Sequence, residues 1–125
     1  FEAPSYGLDC ILSLLDLIQI NDRLTCLCVR GNFLSGEALV LLAEVLATHS
    51  SVAKLDISNN AVTLNDVHAL AQALLALVRQ NPGLQSVRAY NIRLPQQLKQ
   101  AIARQVSHNC QQAAHTTALA QPLQR

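Results

Sequence analysis

The sequence predicts an α/β fold assembled from repeated strand–helix units, with short parallel strands on one face and helices on the other. Three observations predict it. First, an eleven-residue pattern recurs: Leu24-Thr-Cys-Leu27-Cys-Val29-Arg-Gly-Asn32-Phe-Leu34 is followed 28 residues later by Val52-Ala-Lys-Leu55-Asp-Ile57-Ser-Asn-Asn60-Ala-Val62. A third copy starts 32 residues further on, Leu84-Gln-Ser-Val87-Arg-Ala89-Tyr-Asn-Ile92-Arg-Leu94. Second, every copy leads into a stretch with apolar residues at helical spacing. Third, the 125 residues hold 23 leucines, no Trp, no Met and only 3% aromatics, so the core must be built from Leu, Ile, Val and Ala. That length supports one domain with a core of its own.

The elements follow in order. Counting back one period from Leu24 places Phe1, Tyr6, Cys10, Leu14 and Ile18 in a partial unit, with Ile11–Ile20 as its helix. That helix is apolar on more than one face, so part of it needs a covering surface. In the first full unit Leu27 and Val29 alternate with Cys26, Cys28 and Arg30, the period of a half-buried strand. Asn32 and Asn60 stand where the chain leaves its strand, and stacked copies can form a ladder of amide bonds to the backbone. Ser35 is the expected N-cap of a helix carrying Leu39, Leu42, Ala43 and Leu46 on one face. Asn65 is the expected cap of the next, which carries Val67, Leu70, Ala71, Leu74 and Val78. Asn81-Pro82-Gly83 should end it, with Gly83 in the left-handed conformation. The four extra residues of this unit should lengthen its helix. Pro95 opens the last helix, on which Ile102 and Val106 repeat the apolar positions. The third copy has Ile92 at the ladder position, with Asn91 one place early, and no fourth strand pattern follows.

The pattern L-x-x-L-x-L-x-x-N-x-L resembles the leucine-rich repeat, and a 28-residue unit with a full outer helix resembles the ribonuclease-inhibitor-like class. The resemblance covers residues 1–109. It implies a solenoid segment of about three to four repeats, since single units cannot bury their apolar edges alone. The expected leucine-rich repeat domain is 1–112, with a partial repeat 1–23 and repeats 24–51, 52–83 and 84–109. Residues 113–125 are expected to form a tail or short capping helix. The chain has no initiator Met and starts inside a repeat, so the expectation is a C-terminal part of a longer protein. Similar proteins include ribonuclease inhibitor, the sensor arms of nucleotide-binding immune receptors, tropomodulin-like actin-capping regulators and the activator of the Ran GTPase. What they share is protein binding. No residue here selects among them.

Composition narrows the function. A net charge of +1 with 14% charged residues argues against nucleic-acid binding through a basic face. Apolar runs are too short for a bilayer span. Four cysteines without a C-x-x-C pair read as reduced thiols in a cytoplasmic protein, and the reading for Cys26 and Cys28 is packing rather than metal ligation. His49, His68, His108 and His115 bring no nucleophile and orienting group with them, and no phosphate-binding glycine loop exists, so no enzyme, cofactor or metal is expected. The basic residues Arg79, Arg88, Arg93, Lys99 and Arg104 fall in the C-terminal part, without the density of a nucleic-acid or lipid site.

The functional expectation rests on the outward strand positions. Three stacked strands place Cys28, Asp56 and Arg88 in one row and Arg30, Ser58 and Tyr90 in the next, with Lys54 beside them. Together these seven form the expected surface for a protein partner. Arg and Tyr suit such a surface because each joins apolar area to directional polar groups. The competing reading is a solvated face on which Asp56 pairs with Lys54 or Arg88. A second functional reading is architectural: the apolar repeat ends serve as a structural cap or as the interface of a homodimer.

Overall fold

Helix and strand alternate along the described residues. The order is α1 (Leu8–Ile20), β1 (Cys26–Cys28), α2 (Gly36–Leu46), β2 (Lys54–Asp56), α3 (Val67–Gln80), β3 (Ser86–Arg88) and α4 (Gln96–Ala120). These come from a computed structural model that describes residues 8–120 apart from 22, 49 and 50. The expectations for Phe1, Tyr6, Cys10, His49 and His115 lie outside the described residues or side chains.

The strands form one parallel sheet in the order β1-β2-β3, with Leu27, Leu55 and Val87 in register. Parallel neighbours need a crossover, and α2 and α3 supply it. The helices lie along one side of the sheet, each packed against the next, and the core fills the space between the layers. Its residues are the periodic ones: Leu27, Val29, Leu42, Leu46, Leu55, Ile57, Leu70 and Leu74 are all buried. Removing each such Leu or Ile from water contributes about 1.5–3 kcal/mol, which is what holds units this short together. Leu14 and Ile18 of α1 are buried too, which extends the periodic pattern one helix towards the N-terminus.

Local signals explain most element ends. The Ser35 hydroxyl accepts the Ala38 N–H at 3.2 Å, as its N-cap role requires. Pro95 precedes α4, and its carbonyl accepts the Lys99 N–H at 2.8 Å. The longer second unit does lengthen its helix: α3 has 14 residues and α2 has 11.

Two expectations are corrected. α3 is preceded by Asp66 rather than capped by Asn65, and the Asp66 carboxylate turns back to accept the Thr63 hydroxyl at 3.3 Å. Gly36 of α2 leaves room for this close approach, since a Cβ added there would lie 2.4 Å from the Asp66 Cβ. At the other end Asn81 does the terminating, not Gly83. It is buried, its N–H donates to the Leu77 carbonyl at 2.8 Å, and its side-chain amide donates to the Leu46 carbonyl at 3.2 Å, tying the end of α3 to the end of α2. The last helix, α4, continues to Ala120.

Candidate functional site

The sheet register assembles the expected rows. Cys26, Lys54 and Ser86 are aligned, and Cys28, Asp56 and Arg88 form the row beside them. Backbone bonds continue past the strands. Gly31 N–H donates to the Ser58 carbonyl at 3.0 Å and Asn59 N–H to the Tyr90 carbonyl at 2.9 Å, so Arg30, Ser58 and Tyr90 also stand abreast. Arg30, Lys54 and Arg88 are exposed, Tyr90 is 61% exposed, and Cys28 and Asp56 are half-buried. Between them runs an open depression of about 360 Å³ whose walls include Cys28, Lys54, Asp56 and Arg88.

One of the seven expected residues does not belong to this surface. Ser58 is fully buried, and its hydroxyl accepts the Tyr90 N–H at 2.8 Å. A strand would turn this side chain outward, but the chain is already leaving the strand: Asn59 follows with φ 59°. Ser58 therefore joins two units instead of meeting a partner. Asp56 has a local task as well, because its Oδ1 accepts the Ser58 N–H at 3.0 Å and fixes the turn. With that carboxylate engaged, the exposed ends of the face are the cations Arg30, Lys54 and Arg88 and the Tyr90 ring.

The ladder asparagine is the main organiser beneath this face. Asn60 Oδ1 accepts the N–H groups of Asn32 at 3.1 Å and Leu34 at 3.0 Å. Its Nδ2 donates to the carbonyls of Val29 at 3.1 Å and Ile57 at 2.8 Å. One amide thus holds the exits of β1 and β2 in place. Asn91 is not a displaced ladder residue. It has φ 62° and matches Asn59 (φ 59°) and Gly31 (φ 72°), the left-handed position of each unit. Its side-chain amide donates to Asn59 Oδ1.

Several surface residues were not singled out by sequence reasoning. Phe33 is 76% exposed with φ 55°, and Leu64 is 71% exposed, both on loops that follow strands. The available signal was that Phe33 falls between the apolar positions of the repeat and so had no core place to fill. Asn109 was missed outright. It is buried in the middle of α4 and donates to the carbonyls of Val78 at 2.9 Å and Leu84 at 3.0 Å. Cys110 donates its thiol to the Gln85 carbonyl at 3.3 Å.

Among the described residues, no three of His, Cys, Asp and Glu stand close enough to hold a metal ion, and no helix is long and apolar enough to cross a membrane. No protein-family model matches the chain, and no curated protein matches it. Solved structures do. The chain is similar to a structure described as leiomodin-1 actin-binding site 2, with a TM-score of 0.82 and 13% identity over 97% of this chain and 68% of that one. It is also similar to the tropomodulin C-terminal domain of Caenorhabditis elegans, with a TM-score of 0.76 and 15% identity over 91% of this chain and 66% of that one. The chain therefore spans about two thirds of each. At these identities the likeness establishes the fold, which is leucine-rich-repeat-like.

Proposed function

We propose that this chain is a non-catalytic, cytoplasmic protein-binding module, a solenoid segment of the ribonuclease-inhibitor-like repeat class, whose strand face docks on actin. The observation that carries the reading is the face itself. Lys54 and Arg88 stand exposed on the walls of an open depression, with Arg30 and Tyr90 exposed in the next row, on a fold shared with a domain described as an actin-binding site. Exposed Arg and Tyr over a rigid, parallel backbone give directional contacts at low ordering cost. The face carries only one acidic group, so it suits an acidic partner surface.

The test is co-sedimentation with filamentous actin and gel filtration with monomeric actin, using the chain and its Arg30→Glu/Lys54→Glu variant. Both side chains are exposed, so the variant keeps its fold, checked by circular dichroism. Binding by the parent, weakened at least tenfold in the variant, supports the reading. Equal binding by both removes the strand face from it, and no binding to either form of actin removes actin.

One observation favours the architectural reading instead. Leu12 and Leu17 of α1 are 49% and 54% exposed and Ile20 is 80% exposed. If they form a self-association surface, Leu17→Glu abolishes dimers seen by sedimentation equilibrium and leaves actin binding intact.

A further inference from the structure

The open end of the sheet differs from its face, and what it lacks can be read from the two units before it. In the first unit Val29 N–H donates to the Asp56 carbonyl of the neighbouring strand at 2.9 Å, and in the second Ile57 N–H donates to the Arg88 carbonyl at 2.8 Å. The equivalent donor in the third unit is Ala89 N–H, and β3 is the edge of the sheet, so this group points where a next strand would lie. Asn91 N–H stands likewise in the place of Gly31 N–H and Asn59 N–H, which both donate across. At the start of the edge the matching acceptor is already used. The Ala53 carbonyl takes N–H groups from the third unit, but its counterpart at Gln85 takes the Cys110 thiol of α4. The open stretch is therefore Val87 to Asn91.

A groove of about 400 Å³ lies between this stretch and α4, with Val87, Ile92, Leu94, Ile102 and Val106 among its walls. In the earlier units the strand residues facing this way are sealed, Leu27 at 0% exposure and Leu55 at 2%, whereas Val87 is only half-buried. Arg88 and Lys99 stand on the rim. Charge completes the picture. All eight Asp and Glu residues lie at or before Asp66, while Arg79, Arg88, Arg93, Lys99, Arg104 and Arg125 follow it, so the half that carries the groove is purely cationic.

We infer that this edge is a second docking site, which takes an extended segment of a partner protein in which acidic and aliphatic residues alternate, added as a fourth strand beside β3. Side chains of a strand alternate between faces. One set would enter the groove and complete the sealing of Val87, and the other would lie beside the Arg88 row. Backbone pairing supplies affinity and the alternating pockets supply selectivity. Two copies of the chain pairing edge to edge would instead oppose Arg88 and Lys99 to their own kind, which disfavours a second copy as the occupant. The inference is independent of the actin reading.

The test is fluorescence anisotropy with the full chain and a labelled Glu-Leu-Glu-Val-Glu-Leu-Glu peptide, beside a counterpart with Lys in place of Glu and a shuffled peptide that has lost its alternation. The acidic alternating peptide binds, its affinity falls with salt, and the two controls bind at least tenfold more weakly. Ala89→Pro removes the outward N–H without touching the bonds to β2 and weakens binding at least tenfold. Should that variant not fold, Lys99→Glu/Ala103→Glu reverses the rim at two exposed positions and gives the same loss. Arg30→Glu/Lys54→Glu, which tests the strand face, leaves peptide binding unchanged. Failure of the parent to bind the acidic peptide, or undiminished binding by both edge variants, overturns the inference, as does edge-dependent dimerisation of the chain without peptide binding.

Discussion

The junction between the first and second units and the junction between the second and third have the same backbone register but are held by different chemistry. Between β1 and β2 a single side chain, Asn60, bonds the N–H groups of Asn32 and Leu34 and the carbonyls of Val29 and Ile57. Between β2 and β3 the ladder position is Ile92, and the work is divided. The Ser58 hydroxyl accepts Tyr90 N–H and Asn91 bonds Asn59, while Asn109 alone reaches from α4 to the carbonyls of Val78 and Leu84, a task that Asn81 and Ser51 share at the first junction on the carbonyls of Leu46 and Leu24. A repeating backbone thus does not require a repeating side-chain solution. It requires that each buried N–H and carbonyl find some partner, and no buried side-chain polar atom among the described residues lacks one.

The largest effect should come from removing the concentrated solution. Asn60→Ala strands two N–H groups and the carbonyls of Val29 and Ile57, both fully buried residues, and should cost about 3 kcal/mol in urea unfolding. Asn60→Asp is a sharper version. It keeps the acceptor for Asn32 and Leu34 but loses both donors, so it should fall between the parent and the alanine variant.

The divided junction should fail in smaller steps. Asn109→Ala leaves the Val78 and Leu84 carbonyls without that amide and should cost about 2 kcal/mol, since orphaned carbonyls are better tolerated than orphaned N–H groups. Ser58→Ala leaves only the Tyr90 N–H, at about 1 kcal/mol. If Ser58→Ala and Asn109→Ala are combined, their costs should add to within about 0.5 kcal/mol, because the two side chains share no partner. A strong departure from additivity would mean that the second junction is one network, and the contrast with the first would disappear.

The same contrast explains how far the sequence could be read. The core was legible because burial needs only apolar residues at fixed spacing. Leu14 and Ile18 are buried at the spacing that counting back from Leu24 gives. The row of Cys28, Asp56 and Arg88 was legible for the same reason, since three copies of one pattern can be aligned position by position. What could not be counted was the use of polar side chains where the period lapses. Ser58 continues the outward alternation on paper, but the left-handed turn at Asn59 swings it into the junction. Asn109 sits on a helix with weak apolar periodicity, and its importance comes from carbonyls 31 and 25 residues away. The groove beside β3 was invisible for another reason: it lies beyond the last strand of the described residues, where no repeat position marks it.

The finest comparison lies at the left-handed position itself, where the three units use Gly31, Asn59 and Asn91 at φ 72°, 59° and 62°. A Cβ at Gly31 meets nothing within 4 Å, so space does not decide what may stand there. Conformation does. Ala in a left-handed backbone costs about 1 kcal/mol, whereas Asn visits this region readily because its short amide bonds to the nearby backbone. Gly31→Ala should therefore lose about 1 kcal/mol, and Gly31→Asn, which copies the other two units, about 0.5 kcal/mol or less. Paired urea titrations resolve that difference. Equal losses for the two variants would show that the first unit's turn is under a constraint its successors do not share, and that the three exits are alike in φ without being alike in energy.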